Sequence, residues 1–125
     1  MRGVLRSSGL SAERVRAAVR AYQQANDVRV LRELVDFLAI PNRASDSVNI
    51  RRNARHIMEM LERRGATARL LETPGAPPAV FGELRTPGAT RTVVFYAHYD
   101  GQPVDTSQWA TPPWSPTLRD RALAD

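Results

Sequence analysis

The sequence predicts an open α/β domain in which helices pack on a mixed sheet. Apolar residues recur at helical spacing through the first half of the 125-residue chain, and short β-rich segments follow Gly65. Residues 92–97 form a continuous run of apolar, aromatic and β-branched side chains, which is typical of a strand buried on both faces of a sheet. A chain of this length fits one small domain.

Two helices are predicted before Pro41. Ser11 can cap the first helix, with Glu13 in its first turn, and Asn26 and Asp27 separate it from the second. The second helix should end where Pro41 disfavours helical backbone at the preceding residue. The expected apolar stripes are Val15, Ala18, Val19 and Tyr22 in the first helix, and Val30, Leu31, Leu34, Phe37 and Leu38 in the second.

A third helix and two short strands should follow. The helix is expected to begin near Asp46 or Ser47 and to stop at Gly65, because glycine tolerates the left-handed backbone that ends many helices. Residues 67–71 and 79–84 are predicted to be strands of an antiparallel pair, joined by a loop rich in Pro and Gly. The residues expected to be buried on the third helix are Ile50, Ala54, Ile57, Met58 and Leu61.

The charge of the chain raises the question of a nucleic-acid partner, because the formal net charge is +5. All 18 basic residues are arginine, and they are dispersed along the sequence. No aromatic residues alternate with them in the manner that stacks bases. We therefore expect no nucleic-acid partner.

The absence of cysteine limits the metal chemistry that the chain can support. Only His and carboxylate side chains remain as protein ligands for zinc, and a cysteine-free chain suits a reducing cytoplasm. No segment approaches the roughly 20 apolar residues of a membrane span, and residues 1–10 lack the apolar core of a signal peptide. We expect a cytoplasmic protein with no membrane partner.

His98 and Asp100 are the candidate residues for chemistry, and they come directly after the apolar run. On an extended chain both side chains point to one side while Tyr99 points away. Neutral imidazole is a good zinc ligand, and a carboxylate commonly orients it. A bare His-x-Asp pair is more commonly a structural histidine with satisfied hydrogen bonds, and that alternative stays open. Gly101 allows the chain to turn sharply after the pair.

Longer motifs carry a resemblance to a known family. The strings VVFYAHYDGQPV and WATPPWSP, with LVDFLAIPNRAS and MLERRGATARLL upstream, resemble the N-terminal catalytic segment of clan MH zinc metallopeptidases. This family includes carboxypeptidase G, aminoacylase, acetylornithine deacetylase and carnosinase-type dipeptidases. The resemblance spans residues 28–121.

The resemblance implies a function and roles for two residues. It implies that His98 binds one of two zinc ions, with cobalt or manganese as alternatives, and that Asp100 orients His98 and supports catalysis. It implies hydrolysis of peptide or N-acyl amide bonds by a metal-activated water, on a small peptide or an N-acyl amino acid. The other metal ligands of the family, and the lid domain through which its members form homodimers, have no counterpart in this sequence. The expected protein is therefore a truncated, N-terminal part of a catalytic domain that is inactive alone.

On this basis residues 1–26 are an N-terminal helical extension, residues 27–65 contain two helices, residues 66–98 contain the strands, and residues 99–125 are the active-site loop region. A different class of function remains as the alternative, a small protein-interaction module that binds without zinc. Four other polar residues are expected to be exposed and to bind no metal: His56, Asp105, Asp120 and Asp125. Trp109 and Trp114 are expected to pack within a loop.

Overall fold

A computed structural model describes residues 11–121, and these divide after Leu34 into two units. The described residues form a mixed α/β fold, which confirms the predicted class at that level. Within this part of the chain, no helix is both long and apolar enough to cross a membrane. The predictions for residues 1–10 and for Asp125 lie outside it. The elements are α1 (Ala12–Leu38), α2 (Ser47–Glu62), β1 (Thr67–Leu71), β2 (Ala79–Glu83) and a short 3-10 helix (Thr106–Gln108).

Helix α1 is one continuous helix of 27 residues, so the predicted break at Asn26 and Asp27 is wrong. Asn and Asp each lower helix propensity by less than about 1 kcal/mol, and neither glycine nor proline interrupts this segment. Local contacts also stabilise the helix around Asn26. Asn26 Nδ2 donates to the Tyr22 carbonyl at 2.8 Å, and the Arg29 guanidinium donates to the Tyr22 hydroxyl at 2.7 Å. These contacts lie where the sequence predicted a break between two helices.

The apolar stripes of α1 are not buried. No side chain of α1 is buried, and Val19, Val30 and Leu34 are exposed. The amphipathic pattern correctly predicts helical residues, but burial also requires a second apolar surface opposite the stripe.

The turn between α1 and α2 is held by a buried amide. The Asn53 side chain is 1% exposed, and its Nδ2 donates to the Pro41 carbonyl at 2.8 Å and to the Asn49 carbonyl at 2.9 Å. Asp46 caps α2 by accepting from the Asn49 backbone N–H at 3.0 Å. The Asn49 side-chain amide, which donates to the other Asp46 oxygen at 2.8 Å, and this backbone N–H both favour the ionised carboxyl and so lower the pKa of Asp46. The predicted start of the third helix is confirmed.

Helix α2 and the β1–β2 hairpin form the packed part of the second unit. Ile50 and Ala54 are fully buried on α2, and Ile40 is buried just before the turn. Gly82 permits close packing, because a Cβ at this position would lie 2.8 Å from Leu61 Cδ1. The other predicted apolar positions of α2, Ile57, Met58 and Leu61, are half-buried.

The hairpin is the predicted antiparallel pair. Thr67 lies opposite Glu83 and Leu71 lies opposite Ala79, so β2 ends one residue before the predicted Leu84. Gly65, with φ of 82°, adopts the left-handed conformation that separates α2 from β1. The helix end and the strand register therefore both follow from local sequence signals.

Residues 92–97 are not a strand, which corrects the prediction of a central buried strand. Val94 is 84% exposed and Phe95 is 92% exposed. Burial on both faces requires neighbouring strands and covering helices, and the strands found in the described residues, β1 and β2, pair only with each other. The sheet is thus a two-stranded antiparallel pair and not the larger mixed sheet that the sequence predicted.

Candidate functional site

The His98 and Asp100 side chains are in contact, as the alternation of side chains predicts. His98 Nδ1 lies 3.2 Å from Asp100 Oδ1, and His98 Nε2 lies 3.2 Å from the Tyr96 hydroxyl. An ionised carboxylate can only accept, so in neutral His98 the contact places the proton on Nδ1 and leaves Nε2 as the acceptor. The pair is open to solvent, with His98 71% exposed and Asp100 41% exposed.

Tyr96 contributes a contact that sequence analysis missed. Its ring meets the His98 ring edge-on, with 5.3 Å between centroids, and its hydroxyl can donate to Nε2. The nitrogen that would bind a metal is therefore already hydrogen-bonded. The spacing in the sequence could have predicted this contact. Tyr96, His98 and Asp100 are two residues apart, and an extended chain places such residues on the same side.

The loop after Asp100 is anchored to the turn between α1 and α2. The Gly101 N–H donates to the Asn42 carbonyl at 2.6 Å, and the Ala44 N–H donates to the Gly101 carbonyl at 3.0 Å. The Asn42 side chain also donates to the Tyr99 carbonyl at 3.4 Å. A Cβ at Gly101 would lie 2.9 Å from Asn42 Oδ1, so a larger residue here would require the Asn42 side chain to move.

Tyr99 points away from the pair and fixes the other side of the loop. Its hydroxyl donates to the Pro78 carbonyl at the start of β2. Burial raises the pKa of Tyr99, the negative charge of Asp100 raises it further, and Arg51 opposes the change. Tyr99 is thus a packing residue, and its side chain points away from the pair as predicted.

The two tryptophans lie beside a groove of about 380 Å³. Trp114 Nε1 donates to Asn42 Oδ1 at 3.4 Å, so the same asparagine contacts the His98 loop and the Trp-rich loop. Trp109 is half exposed at the groove. Both residues line the groove along with Phe37 and Pro112, which supports packing of the loop against the end of α1.

Three other candidates have structural environments of their own. His56 stacks on Phe37 with 5.9 Å between ring centroids, so it is half-buried and the prediction of an exposed side chain is wrong. Asp105 accepts from the Ser107 N–H at 3.0 Å and caps the 3-10 helix, and these hydrogen bonds lower its pKa. Asp120 is exposed beside Arg121, as predicted.

The described residues do not form a complete zinc site. Structural and catalytic zinc sites use three or four protein ligands. Across residues 11–121 there is no group of three or more His, Asp or Glu side chains that could hold a metal ion. His98 and Asp100 supply one imidazole and one carboxylate, and the carboxylate is engaged with Nδ1.

No protein-family model, curated protein or solved structure matches the chain. The metallopeptidase resemblance therefore rests on the sequence motifs alone. The chemistry of this loop is that of an imidazole whose Nδ1 is held by a carboxylate.

Proposed function

We propose that this chain supplies one metal ligand, His98, and its orienting carboxylate, Asp100, to a zinc-dependent amide hydrolase of the metallopeptidase type. The observation that supports the proposal is the 3.2 Å contact between His98 Nδ1 and Asp100 Oδ1. Zinc ligands commonly have this arrangement, because the carboxylate fixes the tautomer and directs the Nε2 lone pair outward. In a complete site, a pair of zinc ions would supply a nucleophilic water at neutral pH.

The proposed substrate is a small peptide or an N-acyl amino acid, and the proposed compartment is the cytoplasm. Cobalt or manganese could replace zinc, because these ions also accept imidazole and carboxylate ligands. We also propose that the chain alone does not hydrolyse amides, since the described residues contain no group of three or more His, Asp or Glu side chains that could hold a metal ion. On this view the chain is the N-terminal part of the catalytic domain.

Binding of a metal ion at His98 would require a change at Tyr96. The Tyr96 hydroxyl lies 3.2 Å from Nε2, where a metal ion would coordinate. Both residues are largely exposed, so rotation of the tyrosine side chain meets little steric resistance. The role of Asp100 is to keep the proton on Nδ1 while Nε2 exchanges a hydrogen-bond donor for a metal ion.

Zinc titration followed by NMR of the histidine ring nitrogens tests the proposal. The chain has two histidines, so His56→Ala is a matched control for His98→Ala. We expect weak zinc binding that shifts the His98 Nε2 signal, is abolished by His98→Ala and persists in His56→Ala. We expect no hydrolysis of a dipeptide or an N-acyl amino acid by any of the three proteins.

Two results would contradict the proposal. Zinc that shifts His56 and leaves His98 unchanged would remove the proposed ligand. Tight stoichiometric binding with turnover, both lost in His98→Ala, would show that the chain completes a site by itself and is not a partial domain.

A second candidate function is a protein-interaction module that binds without zinc. It is favoured by the exposure of four consecutive large apolar residues, Val93, Val94, Phe95 and Tyr96. Contiguous exposed apolar surface commonly marks a site of protein association. Binding of a protein that persists after removal of metal and after His98→Ala would support this candidate.

A further inference from the structure

Tyr96, His98 and Asp100 form a hydrogen-bonded chain of three side chains. His98 Nδ1 lies 3.2 Å from Asp100 Oδ1, and the Tyr96 hydroxyl lies 3.2 Å from His98 Nε2. The order carboxylate, imidazole, hydroxyl is that of a catalytic triad, in which the carboxylate orients the imidazole and the imidazole takes the hydroxyl proton. Because Asp100 keeps the proton of neutral His98 on Nδ1, the lone pair of Nε2 faces Tyr96.

The hydroxyl end of this chain is open to solvent, whereas the carboxylate end is anchored. Tyr96 is 84% exposed, so a reagent can reach its hydroxyl without a change in the fold. Asp100 directly precedes Gly101, whose N–H donates to the Asn42 carbonyl at 2.6 Å. The imidazole is therefore positioned from the anchored side, and the hydroxyl is presented on the accessible side.

We propose that this triad is a metal-independent site for small esters, in which Tyr96 is the nucleophile, His98 the general base and Asp100 the positioning residue. As the Tyr96 oxygen bonds to the carbonyl carbon, its proton moves to His98 Nε2 and the bond to the leaving-group oxygen breaks. His98 then passes the proton to the leaving group or to solvent. Water attacks the acyl-tyrosine with the help of the same imidazole, which releases the carboxylic acid and returns a proton to the tyrosine oxygen.

The nucleophile determines the class of substrate. A tetrahedral intermediate expels its better leaving group, and a phenolate leaves more readily than an amine. Attack on an amide would therefore return the tyrosine unchanged, whereas an ester of a more acidic phenol transfers its acyl group to Tyr96. This activity goes beyond the function proposed for His98, because it requires no zinc and a zinc ion on Nε2 would prevent it.

Acetylation by 4-nitrophenyl acetate tests the proposal, with nitrophenolate release measured by absorbance and the acetylated residue identified by peptide mass spectrometry. The chain contains no lysine and no cysteine, whose side chains react readily with acylating reagents, so acetylation of tyrosine is not masked. Tyr22 is an internal reference, because it is also exposed and its hydroxyl accepts from Arg29. We expect Tyr96 to be acetylated about a hundredfold faster than Tyr22, the lower end of the contribution of a positioned base.

Single substitutions assign the nucleophile and the base. Tyr96→Phe should abolish the rapid release of nitrophenolate, whereas Tyr22→Phe should leave it unchanged. His98→Ala should reduce acetylation of Tyr96 to the rate of Tyr22, and His56→Ala is the matched control that should not. Far-UV circular dichroism should show equal helix content in these variants.

Asp100→Ala tests the positioning role. Without a carboxylate at Nδ1, the neutral His98 ring divides between its two tautomers, and the form protonated on Nε2 cannot accept from Tyr96. We expect acetylation of Tyr96 to fall about tenfold, less than on loss of the base itself. Nitrogen NMR of the ring should show the change of tautomer, which a purely structural role of Asp100 would not produce.

A metal chelator separates this activity from the metal proposal. The chelator should leave acetylation unchanged, and a failure of zinc to bind His98 would contradict the metal proposal without affecting this one. Loss of acetylation in the chelator, or equal rates at Tyr96 and Tyr22, would overturn the triad. Nitrophenolate release that survives Tyr96→Phe but is lost in His98→Ala would also overturn it, because the imidazole would then be the nucleophile.

Discussion

Replacement of Asn53 by alanine should destabilise the second unit and loosen the His98 loop. Asn53 is 1% exposed and donates to two backbone carbonyls, those of Pro41 and Asn49. The Asn49 carbonyl keeps its helical partner, whereas the Pro41 carbonyl loses a donor. Each lost hydrogen bond costs about 1 kcal/mol, and the volume left by the side chain adds to this. We expect the free energy of unfolding to fall by about 2–3 kcal/mol.

Urea unfolding at low protein concentration measures this change. Asn26→Ala is a matched control, because Asn26 Nδ2 also donates to the carbonyl four residues earlier, but this hydrogen bond is exposed and the side chain is only half-buried. We expect it to change the free energy of unfolding by less than about 0.5 kcal/mol. In Asn53→Asp the carboxylate cannot donate to either carbonyl, so the loss at neutral pH should exceed that of Asn53→Ala.

The pH dependence of Asn53→Asp gives a second readout. Burial disfavours the charged form, so the introduced carboxyl has a higher pKa in the folded protein than in the unfolded chain. The unfolded state therefore releases its proton first as pH rises, and the destabilisation should decrease as pH falls. If the free energy of unfolding of Asn53→Ala is within about 0.5 kcal/mol of the wild-type value, the buried amide does not stabilise the turn.

Three further predictions concern the anchors of the loop and the cap of α2. Gly101→Ala should shift the His98 ring signals in NMR spectra, and Asn42→Ala in the same chain should reverse part of this shift, because it removes the atoms that the added methyl group would meet. Tyr99→Phe should abolish a phenol ionisation above pH 10, measured by ultraviolet absorbance, since burial raises the Tyr99 pKa from its ordinary value of 10.0. The folded pKa of Asp46 lies below its ordinary value of 3.8, so the stability that Asp46 contributes should be present above that pH and be lost as pH falls through the lower, folded value. Acid titration of unfolding should show that Asp46→Asn removes this component.

The elements that sequence analysis predicted correctly depend on local signals. Asp46 caps α2, Gly65 ends the turn after it, and the Pro- and Gly-rich segment joins β1 to β2. Each of these signals is formed by a few neighbouring residues, so the sequence of that segment is enough to predict the element. The break expected in α1 was wrong because asparagine is also tolerated inside a helix when its side chain can donate a hydrogen bond to the preceding turn, as that of Asn26 does.

The features that sequence analysis missed depend on distant residues. Asn42 contacts Tyr99 and Trp114, which follow it by 57 and 72 residues, and no periodic pattern links these positions. The stack of His56 on Phe37 also joins two helices. The composition of residues 92–97 indicated β-propensity but could not indicate whether a partner strand is present, because sheet formation requires hydrogen bonds to another segment.

The absence of buried side chains in α1 should make its amide hydrogens exchange quickly. A helix held by local contacts opens by fraying and by helix–coil transitions, whereas a packed helix exposes its central amides mainly when the unit unfolds. Helix α2 contains the fully buried Ile50 and Ala54, and α1 contains no buried residue. Both helices should therefore contribute to a circular dichroism spectrum, α1 more strongly because it has 27 residues against 16 in α2. In hydrogen exchange they should form separate classes, with the amides of α1 replaced long before those at the centre of α2.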